Sequence, residues 1–289
     1  MSTTHPISDS ATLLTDAIKF PEGPRWHDDH LWFEDTIGER LVKVDMLGNL
    51  TTVVEVPGRA SGLGFLPDGT PLVMSMFEMK MYKVVDGELV AHADLSGHVD
   101  YPVNDMIVDK SGRAYLGHFG YDLFNEAPPE PTTLLMVDTA GQVREVADGL
   151  VFPNGMAIDD DGSTFYVAET WGHRITAFDI LPDGGLTNQR THVDLGGRHP
   201  DGICLDAQGA LWVASAMESE FIRVLPDGTI TDVKACPGHI ATSCALGGPD
   251  GDTLFMLEAE TDVVRIGQGI SSGFVNIQNV QTPRAHTIP

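Results

Sequence analysis

Six oxygen-bearing side chains recur at one position of a repeated pattern. Five turn glycines, Gly69, Gly112, Gly162, Gly209 and Gly251, and His30 in the first unit, each lie eight residues after one of them. The six are Glu22, Ser61, Asn104, Asn154, Asp201 and Ser243, separated by 39 to 50 residues. Two carboxylates and two amides brought together without a basic partner repel and resist ionisation. A hard divalent cation would resolve that conflict, and an all-oxygen donor set suits Ca²⁺ first, with Mg²⁺, Mn²⁺ or Zn²⁺ as alternatives. The absence of His and Cys from the column counts against a structural zinc. The competing reading is local, because Asn154-Gly155 and Asp201-Gly202 are also common hairpin-turn pairs. The shared register favours the cation, since another turn already closes the far end of each segment.

Positioning such a column requires a repeated element. Short β-branched or aromatic runs flank breakers at HDDH (27–30), LPDG (66–69), DKSG (109–112), DDDG (159–162), DAQG (206–209) and GPDG (248–251). Helical periodicity is scarce. After each breaker comes a second apolar run, such as AYLGHF or LWVASA, and then two further strand-like runs, the last pair being VVRIG with FVNIQNV. Four strands per 40 to 50 residues, six times over, define an all-β fold: a six-bladed β-propeller with four antiparallel strands per blade. It is expected to be one domain over residues 1–289, with residues 1–10 flexible and ATLL (11–14) closing the ring against the last blade. The longest interval holds GYDLFNEAPPEPT, which reads as a rim loop.

The balance of 17 basic against 42 acidic residues, a net charge of −25, excludes a binder of nucleic acid or of an anionic membrane surface. No apolar run approaches the roughly 18 residues of a membrane span, and the N-terminus lacks signal-peptide features, so a cytoplasmic location is expected. Cys204, Cys236 and Cys244 show no C-x-x-C spacing and read as reduced thiols. No nucleophile elbow, H-E-x-x-H or phosphate loop is present.

FPEGPRW (20–26), VNDMIVDKSGRAYLG (103–117), VFPNGMAIDDDGSTFYVAET (151–170), HPDGICLDAQGALWVAS (199–215) and LGGPDGDTLFMLEA (246–259) resemble the senescence-marker-protein/gluconolactonase/luciferin-regenerating-enzyme-like family. The resemblance spans nearly the whole chain. It implies a six-bladed propeller that hydrolyses lactones with a divalent metal, held by Glu22, Asn154 and Asp201, with Asn104 contacting substrate or a metal-bound water. Asp201 is then the first candidate for general base, with Asp105 in reserve. Ser61, by its place in the column, and His118, at the end of a strand beside the insertion, are candidate substrate contacts. Two departures bear on substrate. Pro102 stands where the sugar-lactone branch carries an Arg, and MSMFEMKMY (74–82) replaces an Arg-bearing rim segment with methionines. Met76 is the pocket-lining candidate from that stretch, half of which alternates into core positions; such a lining implies a substrate less polar than a sugar. Phosphotriester or other ester hydrolysis on the same propeller, and a non-catalytic calcium-binding propeller, remain the alternatives. Oligomeric state is unknown.

Overall fold

A computed structural model describes residues 11–285; the expectation for residues 1–10 lies outside them. Six four-stranded antiparallel sheets form the blades of a β-propeller. Their innermost strands are Pro21–His27, Ala60–Phe65, Val103–Val108, Pro153–Ile158, Pro200–Leu205 and Ile240–Gly247. Neighbouring inner strands pack against one another around the whole ring, the last against the first. At the outer end of each inner strand the expected turn is made. The five repeat glycines take left-handed backbone angles, and Asp28 and Asp29 do so in the first blade.

Blade six departs from the sequence reading. VVRIG is not a strand but the short helix α1 (Val263–Gly267), whose first turn is capped by the Asp262 carboxylate accepting from the Arg265 amide at 2.9 Å. The third strand of the blade is Ser272–Asn279, and the fourth is the N-terminal strand Thr12–Ile18 paired antiparallel to it. The ring is therefore clasped by hydrogen bonds between the two ends of the described chain. Because the N-terminal strand fills the outer position, VVRIG is left unpaired and folds back over the ring. The expected rim loop of blade three carries a single 3-10 turn, Leu123–Asn125.

The hydrophobic core is divided among the blade interfaces. Trp32, Leu63 and Phe65 fill blades one and two, Met74, Met106 and Leu116 blades two and three, and Tyr115, Met156 and Phe165 blades three and four. Three comparable clusters complete the circle. Sheet faces alternate along each strand, so the inner strands bury both sides, while the outermost strands are the most exposed to water. Carboxylates in the frame are paired: Asp35 with Arg40, Asp109 with Arg113, Glu169 with Arg174 and Asp206 with Arg223. All three cysteines are free. No helix among the described residues is long and apolar enough to cross a membrane.

Candidate active site

Each inner strand is irregular at the repeat column. The pairing register slips between Glu22 and Arg25, Ser61 and Leu63, Val103 and Met106, Pro153 and Met156, Pro200 and Ile203, and Ala241 and Ser243. A bulge of this kind re-aims a side chain out of the sheet's alternation. Asn154-Gly155 and Asp201-Gly202 lie inside strands, so the hairpin-turn reading of those pairs does not apply. The glycines serve close approach instead: a Cβ on Gly155 would stand 2.5 Å from the Asp201 carbonyl, and one on Gly202 would overlap the Ser243 hydroxyl.

The bulges bring Glu22, Ser61, Asn104, Asn154 and Asp201 to one cavity at the mouth of the central channel, together with Asp105 and Met76. Two expected members fall elsewhere. Ser243 is buried against Gly202 and does not line the cavity. His118 is buried too, its Nε2 2.8 Å from the Thr132 hydroxyl and 3.2 Å from that of Thr133, and it is not among the lining residues. Of the methionine stretch, Met74 and Met81 belong to the core between blades two and three, while Met76 faces the cavity.

The cavity floor is acidic. Burial raises the pKa of Glu22 well above the ordinary value, and the charges of Asp201, Asp105 and Glu34 raise it further. Burial and then Asp105 do the same to Asp201, and likewise to Glu34. Asp105 is itself raised by burial and partly relieved by Arg25, whose guanidinium is 3.9 Å away and also donates to the Met106 carbonyl at 2.6 Å. One cation thus stands beside four carboxylates, of which Glu34 is fully buried and Glu22, Asp105 and Asp201 partly so. Asp201 Oδ1, both carboxylate oxygens of Glu34 and the Ser61 hydroxyl are buried with no hydrogen-bond partner. Native proteins rarely leave such atoms unpaired without a ligand to take them.

Asn154 is positioned for the same task. Its side-chain nitrogen donates to the Thr170 hydroxyl at 3.2 Å, and Thr170 donates to the Pro200 carbonyl at 2.8 Å. A hydrogen bond from the Asn154 side chain also partly offsets the rise in the Asp201 pKa, which ties these two cavity-lining residues together. Among the described residues no three His, Cys, Asp or Glu side chains form a chelating group of their own. Glu22 and Asp201 with the Asn154 amide are an oxygen set that a hard cation fits, because the carboxylates are uncompensated and the donors are hard. Asn104 donates to the Pro153 carbonyl at 3.3 Å.

Several lining residues carried no assignment in the sequence. Phe119, Phe152 and Trp171 build the walls, and Trp171 donates its indole N–H to the Tyr121 hydroxyl at 2.5 Å. Leu123 and Phe124 of the insertion and Val263 and Ile266 of α1 cover the mouth. Arg59 joins the two segments: it donates to the Ile266 carbonyl at 2.8 Å and lies over the rings of Phe77 and Phe124. Glu34, beneath Gly23, is equally unannounced, since it falls outside the column on the neighbouring strand.

Comparison with known proteins follows the same lines. The model of the SMP-30/gluconolactonase/LRE-like region matches residues 20–260. The pentonolactonase of Haloferax volcanii is 29% identical over 257 residues, covering 86% of this chain and 85% of its own. The 6-deoxy-6-sulfogluconolactonase of Pseudomonas putida is 25% identical over 243 residues, covering 81% of each chain. A luciferin-regenerating enzyme superposes with a TM-score of 0.81 at 20% identity, covering 96% of this chain and 99% of its own. With the family motifs standing on the bulged inner strands of a six-bladed ring, the chain belongs to the SMP-30/gluconolactonase/LRE-like family.

Proposed function

We propose that this protein is a divalent-metal-dependent lactonase that opens a cyclic ester to a hydroxy acid. The observation that carries the reading is the convergence of Glu22, Asn154 and Asp201 on one cavity, with Asp201 Oδ1 buried and unpartnered. The names of the two lactonase relatives support it. Glu22, Asn154 and Asp201 would hold the ion, Ca²⁺ first by donor type, and when bound it supplies Lewis-acid polarisation of an ester carbonyl.

The chain's own residues do the rest. Asp201, which faces the cavity beside the proposed metal site, takes the proton of the attacking water. The water oxygen forms a bond to the carbonyl carbon, the ring C–O bond breaks, and the leaving alkoxide takes up the proton held by Asp201, which gives the hydroxy acid and restores the base. Asn104 and Ser61 face the same cavity and orient the ester. The aromatic walls exclude water, which strengthens each polar contact at the floor. Asp105, tied to Arg25 and to its neighbour's amide, is the less suited base.

The experiment is hydrolysis of a panel of lactones by protein stripped with chelator and then resupplied with Ca²⁺, Mg²⁺, Mn²⁺ or Zn²⁺. Activity that disappears with the metal and returns with it supports the reading; full activity in the stripped protein refutes the metal requirement. Turnover of phosphotriesters in preference to lactones would select the alternative hydrolase.

A further inference from the structure

Among the described residues six hydrophobic clusters serve the six blade interfaces, and a seventh lies apart from them. It consists of Met76, Phe119, Tyr121 and Phe152, with Leu123, Phe124 and Trp171 packed on it, and it lies at the cavity mouth. Opposite it stands α1, which contacts the 3-10 turn of the insertion and contributes Val263 and Ile266 to the same cavity. Around α1, Val264, Ile270 and Met217 are exposed, interspersed with the polar Asp262 and Gln268.

Apart from Arg59, the polar groups lie away from this cluster, at the acidic floor where Glu22, Ser61 and Asp201 converge. Thr170 and the Asn154 nitrogen hold one another, and Asn104 donates to Pro153. Arg59, the cation of the cap, is committed to the Ile266 carbonyl and sandwiched against two phenyl rings. A polyhydroxylated ring would have to bury several hydroxyls against Phe and Met side chains, each at the cost of an unmade hydrogen bond.

We propose, resting on the lactonase reading above, that the substrate class is lactones bearing an apolar aliphatic or aromatic substituent, with the ester at the acidic floor and the substituent against the seventh cluster beneath the cap of Leu123, Phe124, Val263 and Ile266. The cap is thereby the specificity determinant. Sequence alone could hint at this only through Pro102 and Met76. The larger contribution comes from two insertions, on blades three and six, that meet over the mouth.

The test is kcat/KM for γ-lactones from γ-butyrolactone to γ-decalactone, with glucono-δ-lactone as comparator. Each methylene should raise kcat/KM by roughly three- to fourfold, and gluconolactone should fall at least about a hundredfold below γ-decalactone. Ile266→Ser and, separately, Phe124→Ser should each lower the ratio of decalactone to butyrolactone kcat/KM by about tenfold. Gluconolactone turned over as well as decalactone, or a flat chain-length series, overturns the proposal while leaving lactonase activity standing. If no lactone is turned over with any of the four metals, the lactonase reading fails, and the apolar site is judged by γ-decalactone quenching of Trp171 fluorescence, with Trp171→Phe as control. Quenching by decalactone but not gluconolactone upholds an apolar site; equal quenching, or none, ends it.

Discussion

A side chain on Gly155 would begin 2.5 Å from the carbonyl oxygen of Asp201. Those two residues belong to the inner strands of neighbouring blades, and their proximity sets the spacing between two of the proposed metal ligands, Asn154 and Asp201. Gly155→Ala should therefore push the strands apart. We expect a loss of about 1–3 kcal/mol in stability, the usual cost of overpacking, and a weakening of metal affinity larger than the fall in melting temperature alone would suggest. Calorimetric titration with Ca²⁺ alongside thermal unfolding checks both.

Replacing Asp201 with Asn keeps the shape and removes the charge. Hydrolysis should fall by about 10²–10⁴-fold, the range expected for a positioned base, and metal binding should weaken. Stability of the metal-free protein should not fall, because a buried carboxylate raised by burial and by Asp105 is unfavourable when ionised. Unchanged turnover by the purified variant would remove Asp201 from the mechanism.

His118 bears on stability rather than on the cavity. Burial lowers its pKa to about 4 from an ordinary value of 6.5. The folded state therefore resists a proton that the unfolded chain accepts, so stability is lost as pH falls from about 6.5 towards 4, by up to about 3 kcal/mol. Above 6.5 it contributes no pH dependence. The gap between wild type and His118→Gln in urea unfolding should narrow between pH 7 and pH 4.5; a constant gap would show that the ring titrates normally.

Arg59→Met should loosen the cap without touching the ring. The lost hydrogen bond to Ile266 and the lost contact with Phe77 and Phe124 are together worth about 1–2 kcal/mol. Amide hydrogen exchange is expected to speed up in residues 261–271 and 122–127, while the inner strands keep their protection. Exchange that is unchanged in both segments would mean that each is held by its own blade.

Much of this protein is written in its sequence, because a propeller repeats. Turn glycines at a fixed distance from a polar residue, followed by alternating strands, announce six blades and place Glu22, Asn104, Asn154 and Asp201 in one column without any coordinates. Repetition makes each local signal confirm the others. The tertiary structure alone decided which column members share a cavity. Ser243 parts from the column because it packs against Gly202 of the neighbouring blade, and His118, expected at the mouth, turns to the Thr132 hydroxyl instead; neither contact can be forecast from period-two alternation. VVRIG illustrates the same limit. Its apolar run reads as a strand until the N-terminal segment, some 250 residues earlier in the chain, takes the pairing position and leaves it to form α1. Glu34, Arg59 and the aromatic walls depend likewise on contacts between blades, and contacts between residues distant in sequence leave no spacing to read.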